Sequence, residues 1–115
     1  MGDRVLAKMG SLLIANRRAS DLVARYGGEE FIEMIPETDR QGALRTAEKI
    51  RAMAENERIE TDDGNEIHCT LSIGVALYSV GELEDACDNE KIIRKADEML
   101  YKAKNAGKNR VMIYP

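Results

Sequence analysis

A chain of 115 residues supports one domain with a modest core, and its 43% apolar and 33% charged content is ordinary for a globular fold. The formal net charge of −4 argues against general nucleic-acid binding, which requires a basic face. No apolar run reaches membrane-spanning length and no signal peptide opens the chain, so a cytoplasmic segment without membrane contact is expected.

Residues 3 to 16 read as an amphipathic helix, because Val5, Leu6, Met9, Leu12 and Leu13 recur at helical spacing and Asp3 stands where an N-cap belongs. Two β-like runs follow, Leu22-Val23-Ala24-Arg25-Tyr26 and Phe31-Ile32-Glu33-Met34-Ile35, with Gly27 and Gly28 between them. A Gly-Gly pair takes the positive φ angles of a tight hairpin turn and puts no side chain between the backbone and a docked ligand. Glu29 and Glu30 come directly after it, and carboxylates suit a hard cation such as magnesium. Pro36 ends the second strand, and Thr38-Asp39-Arg40-Gln41 resembles a capping box. The helix it opens carries Ala43, Leu44, Ala47, Ile50 and Ala54 on one face and should fray near Glu55 and Asn56.

Asp62-Asp63-Gly64-Asn65 is a turn signal between a short strand near Ile59 and a longer strand over residues 67 to 77. In the longer strand Ile67, Cys69, Leu71, Ile73, Val75 and Leu77 share one face, while His68, Thr70, Ser72, Gly74 and Ala76 take the other. Cys69 therefore reads as a small buried hydrophobe; neither it nor Cys87 has metal-ligand spacing, and nothing requires a disulfide. His68, the only histidine, has no triad partners in a recognisable motif and reads as a surface or sheet-face residue. A polar loop over residues 79 to 89 leads to a last helix with Ile92, Ile93, Ala96, Leu100 and Ala103 as its buried stripe and Tyr101 at the helix–sheet junction. Gly107 fits the left-handed position past its end, and residues 110 to 114 form a closing strand. The order α-β-β-α-β-β-α-β implies a two-layer α+β fold, with helices on one face of a mainly antiparallel sheet.

Arg25-Tyr26-Gly27-Gly28-Glu29-Glu30-Phe31 resembles the signature of the GGDEF-domain diguanylate cyclases, in the variant with Glu at the third position. Other stretches match the same family in order: Gly2-Asp3-Arg4-Val5-Leu6, Arg18-Ala19-Ser20-Asp21, Thr70-Leu71-Ser72-Ile73-Gly74-Val75-Ala76, Ala96-Asp97, and the run from Tyr101-Lys102-Ala103-Lys104 through Gly107-Lys108-Asn109-Arg110-Val111. The resemblance implies a palm-like sheet of the nucleotide-cyclase, ferredoxin-like type. It also implies bacterial second-messenger signalling, in which two GTP condense to cyclic di-GMP and two pyrophosphates with magnesium or manganese as cofactor. Two domains must face each other for this, so a homodimer is implied.

Residue by residue, the resemblance makes Glu29 the metal ligand. Glu30 then lies beside the reacting sugar hydroxyl, and Gly27 and Gly28 form the bare turn of the catalytic site. Asp3 matches a guanine-binding carboxylate, but is equally a plain N-cap at the positive end of a helix dipole. Lys104 and Lys108 match a phosphate-binding pair, with Lys108 where the family usually has Arg. Basic residues in a helix's last turn also complement its dipole. Arg18 and Asp21 match a product-inhibition site for cyclic di-GMP, against the simpler reading of a solvated ion pair. Lys49 stands where the family has a further arginine of that site.

The family's opening helix and its first central strand, with an Asp-x-Asp-x-Phe-Lys-type motif, precede the position of Gly2. Residues 1 to 115 are thus expected to be a single partial domain, the cytoplasmic part of a larger signalling protein, with little or no activity alone. Strand edges left open by the missing strand should re-pair, or be filled from a second copy by strand exchange or an edge-to-edge dimer. The alternatives to an enzyme domain are a non-catalytic cyclic di-GMP-binding module and a protein-interaction module.

Overall fold

The apolar spacing near the start of the chain seeds the core. In a computed structural model, described for residues 3–25, 30–36, 38–78 and 86–115 without the side chains of Asp3 and residues 86–89, helix α1 runs over Asp3–Ala15. It buries Val5, Leu6, Met9, Leu12 and Leu13, as the spacing requires, and Met9 is fully enclosed. Burial of such a side chain contributes about 1.5–3 kcal/mol. One core cluster joins Val5 and Met9 to Ala54 and Ile59; a second joins Leu12 and Leu13 to Ile50. Phe31 and Leu71 pack against both clusters, so they tie the hairpin and the central segment to the same helices.

Strands β1 (Leu22–Arg25) and β2 (Phe31–Met34) pair antiparallel, with Leu22 opposite Met34 and Arg25 opposite Phe31. Helix α2 (Arg40–Asn56) presents Ala43, Ala47, Ile50 and Ala54 inward, as its periodicity predicts. Its N-cap is Asp39 rather than the Thr38 of a capping box: the Asp39 carboxylate accepts the Gly42 N–H at 2.7 Å. A charged acceptor at the positive end of the helix dipole wins over a hydroxyl. The turn after β3 (Ile59–Glu60) closes as expected, with the Thr61 N–H donating to the Asn65 carbonyl at 2.8 Å before β4 (Glu66–Ile67).

The single strand expected over residues 67 to 77 is broken. Ile67 pairs antiparallel with Ile59, whereas β5 (Ile73–Val75) pairs in parallel with β6 (Val111–Ile113). Cys69, Leu71 and Ile73 still pack toward the core clusters, so the alternation of faces survives where the hydrogen-bonded ladder does not. Residues 68–72 lack a neighbouring strand among the described residues, and side-chain patterning alone cannot supply one.

Helix α3 (Ala86–Asn105) starts earlier than the polar loop over residues 79 to 89 implied. Residues 79–85 of that loop lie outside the described residues. Met99 and Ala103 are buried, but Tyr101 is 70% exposed and does not fill the helix–sheet junction. It sits next to Leu100 on the wet side of a helix whose inward stripe is already complete.

The α+β class holds, with one addition to the two-layer expectation. Ile73 packs against the α1–α2 cluster, whereas a Cβ built on its neighbour Gly74 would lie 2.1 Å from the Ala96 carbonyl of α3. Adjacent strand residues face opposite ways, so α3 covers the other side of the β5–β6 pair. The three strand pairs are separate sheets. The expected re-pairing does not occur: β2 and β5 each bond only to their own partner among the described residues, because each turns its second edge toward no neighbouring strand.

Candidate functional site

The hairpin is the first part of the site. Its register brings Arg25 opposite Phe31, so residues 26–30 connect the two strands. Gly27, Gly28 and Glu29 lie outside the described residues. Glu30 is half-buried immediately before β2. Asp3 is the first residue of α1, one position past where an N-cap stands, and its side chain lies outside the description.

The second part is the end of α3. Lys104 stands exposed in the last turn, and the backbone closes the helix in the manner expected of Gly107. The Lys108 N–H donates to the Ala103 carbonyl at 3.0 Å while Gly107 holds φ at 125°. The chain then stays left-handed through two residues that are not glycine, Lys108 at φ 63° and Asn109 at φ 48°. At Lys108 this costs about 1–2 kcal/mol, and backbone strain of this kind concentrates at functional sites. Among the described residues, neither Lys104 nor Lys108 has an ion-pair partner, so both charges are free to meet an anion.

Arg18 and Asp21 make the third part. Asp21 is only 5% exposed, the one buried charged residue among those described. Its carboxylate accepts the Arg18 backbone N–H at 2.9 Å and the Arg18 Nε–H at 3.2 Å, and the Asp21 N–H donates to the Arg18 carbonyl at 3.0 Å. Burial alone would raise this carboxyl, but the Arg18 hydrogen bonds with the charges of Arg18 and Arg17 outweigh it and hold Asp21 below the usual Asp value. Arg18 is thereby held in a closed turn, and its Nη2 donates to the Pro36 carbonyl at 2.7 Å. The guanidinium nevertheless stays half exposed, and it lines an open cleft of about 560 Å³ with Ile35, Thr38, Asp39, Gly42, Arg45 and Thr46.

Sequence reasoning missed Arg45. It shares the cleft with Arg18 because the first turns of α2 lie beside the turn that carries Arg18, and its spacing of three from Gly42 puts the two on one helix face. Lys49, one turn further along α2, is exposed and does not line this cleft. Beside Asp21, burial and then the charge of Asp21 itself raise Glu33 above the usual Glu value.

No three His, Cys, Asp or Glu side chains converge on a metal-sized point among the described residues. A preformed protein cage is not required where substrate phosphates supply most of a cation's ligands: one or two carboxylates then suffice, and the sequence carries carboxylates at Glu29 and Glu30. Cys69 is a poor metal donor, since burial raises its thiol above the ordinary value.

Comparison with known proteins bears on the family and the fold. The family model described as diguanylate cyclase, GGDEF domain matches residues 1–110. The chain is 41% identical over 113 residues to the diguanylate cyclase DosC of Escherichia coli, covering 98% of this chain and 24% of that protein. It is 40% identical over 113 residues to the response regulator PleD of Caulobacter vibrioides, covering 97% and 24%. The chain thus spans about a quarter of the length of these relatives. In three dimensions it resembles the GGDEF domain of DgcB from Caulobacter crescentus, crystallised with c-di-GMP, at a TM-score of 0.87 and 27% identity over 97% of this chain and 64% of that one. It also resembles the active GGEEF domain of a diguanylate cyclase from Vibrio cholerae, at a TM-score of 0.77 and 32% identity over 98% and 68%. With a family model spanning nearly the whole sequence and a shared backbone course, the chain belongs to the GGDEF-domain family.

Proposed function

We propose that this chain is the cyclase domain of a diguanylate cyclase, which condenses two GTP into cyclic di-GMP and two pyrophosphates. The observation that carries this reading is the Gly27-Gly28-Glu29-Glu30 connection, bracketed by a β1–β2 hairpin whose register starts at Arg25 and Phe31. A turn without side chains lets a triphosphate approach the main chain, and Glu29 supplies the carboxylate for a divalent cation, magnesium or manganese. When bound, such an ion neutralises charge on the phosphate oxygens. Glu30 accepts a hydrogen bond from the attacking ribose hydroxyl, which must stand in line with the departing pyrophosphate. Lys104 and Lys108 hold phosphate oxygens as point charges, and Asp3 reads the guanine edge from the first position of α1. Each domain binds one GTP, so two copies face each other as a homodimer, and strand exchange is one way to fill the unpaired edges of β2 and β5. A cytoplasmic location follows from the need for GTP.

Arg18, ordered by Asp21, holds the product, and Lys49, outside the cleft one turn further along α2, adds positive charge nearby. Arg45 gives the cleft a second guanidinium, and paired guanidiniums recognise phosphate oxygens by charge-assisted hydrogen bonds. This cleft also favours a second reading, a module that binds cyclic di-GMP without making it.

Incubation with GTP and magnesium of a longer chain that carries the family's opening helix and first central strand should yield cyclic di-GMP, with a loss of at least about 100-fold in Glu29→Ala, whereas residues 1–115 alone should give little or none. Titration with cyclic di-GMP should give an affinity that falls about tenfold or more in Arg18→Ala. Product binding at Arg18 without any turnover of GTP selects the second reading. Neither turnover nor binding leaves an interaction module.

A further inference from the structure

The strained turn after α3 is not left to hold itself. Asn109 reaches across to α2, where its Oδ1 accepts the Arg51 Nη1–H at 2.8 Å and its Nδ2 donates to the Glu55 carboxylate. The same Arg51 Nη1 donates to Glu55 at 3.3 Å, and the Arg51 Nε–H donates to Glu48 at 2.8 Å. Arg51, Glu55 and Asn109 therefore close a ring of hydrogen bonds, and the Arg51 side chain is only 17% exposed. Asparagine is also the residue that tolerates a left-handed backbone best after glycine.

These bonds fix the backbone on one side of Lys108, and the Ala103 carbonyl fixes it on the other. One residue further on, the Arg110 carbonyl accepts the Ile73 N–H at 2.9 Å, which anchors the turn to β5. Lys108 itself contributes no side-chain bond to this arrangement. Its ammonium is exposed, and its own backbone sits in a conformation that costs energy. A network that joins two helices to hold an unsupported lysine in a strained pose is more than helix termination requires. A lone glycine at position 107 would have stopped α3.

We propose that Arg51 and Glu55 are positioning residues for nucleotide binding, acting through Asn109 to aim Lys108 at a GTP phosphate. The proposal rests on the reading above that Lys108 meets a phosphate. A lysine stem has four rotatable bonds, so without a fixed backbone its charge samples a wide volume. Fixing the Cα removes part of that freedom before the nucleotide arrives.

The test is a calorimetric titration of the chain with GTP in the presence of magnesium, on the unaltered protein, Lys108→Ala, Asn109→Gly, Arg51→Ala and the double variants. Asn109→Gly keeps the left-handed backbone accessible and removes only the tether, so it guards against unfolding in Arg51→Ala. Asn109→Gly and Arg51→Ala should each weaken GTP binding about tenfold, below the roughly 100-fold loss that an ångström of misplacement can cause at a catalytic group. Neither should weaken it further in the Lys108→Ala background, because both act through that lysine. If Lys108→Ala weakens binding while Asn109→Gly and Arg51→Ala leave it unchanged, or if their losses add to that of Lys108→Ala, the positioning role is overturned and the phosphate reading stands. If Lys108→Ala has no effect, or the unaltered chain does not bind GTP, the phosphate reading falls and the positioning role falls with it.

Discussion

Two carboxylates beside the hairpin are displaced in opposite directions by their surroundings, and their pH behaviour follows. Asp21 is held below the usual Asp value by Arg18 and Arg17 against the pull of burial, so its contribution to stability is complete above that value and is lost as the pH falls through its lower folded value. Glu33 is raised by burial and by Asp21, so the folded chain holds its proton to higher pH than the unfolded chain. Its cost to stability sets in as the pH rises above the ordinary Glu value, and is complete above the raised folded one. Glu33→Gln should therefore stabilise the protein at pH 7 by a few tenths of a kcal/mol, on the order of 1–3 °C in Tm. The gain should vanish below the ordinary Glu pKa, where both states are protonated. Thermal melts at several pH values check this, and an increment independent of pH would sink it. Asp21 was legible as a candidate from the Arg-x-x-Asp spacing and its register against Gly27 and Gly28. Its burial and its influence on Glu33 were not, because both depend on how the hairpin lies against the turn.

At the scale of elements, the periodic pattern specified α1 and α2 well, since one apolar face and one core surface decide a helix. Strands depend on partners, and here the sequence was a poorer guide. The alternation over residues 67 to 77 correctly placed Cys69, Leu71 and Ile73 toward the core. It could not say that Ile67 would pair with Ile59 while Ile73 would pair with Val111. Gly74 shows what such patterning hides. A side chain there would lie 2.1 Å from the Ala96 carbonyl and 2.4 Å from the Leu100 nitrogen, both backbone atoms of α3 that cannot swing aside. Gly74→Ala should cost about 2–4 kcal/mol by forcing α3 off the strand. A chemical denaturation curve measures this directly; a loss below 1 kcal/mol would mean that α3 does not pack so closely.

For the whole molecule, the candidate site was legible as chemistry and largely illegible as geometry. The glycines, Glu29, Glu30 and the lysines stand out by residue type and order. Arg45 comes beside Arg18, and Arg51 beside Asn109, only in the folded chain. The proposed reaction also reaches beyond one copy, because each domain supplies half of a site. Specific activity should rise with chain concentration in the dilute range and level off once pairs saturate. Turnover per chain that stays constant on dilution through the nanomolar range would show that one copy suffices.

The parallel pairing of β5 with β6 has a kinetic consequence. These two strands meet only after the whole of α3 has been made and folded back, whereas β1 and β2 meet across a short turn. Closing the longer loop carries the greater entropic penalty, so the hairpin zips early and the carboxy-terminal strand docks late. The left-handed bend carrying Lys108 is consequently among the last features to be assembled, and among the first to come apart when the protein is pushed toward unfolding.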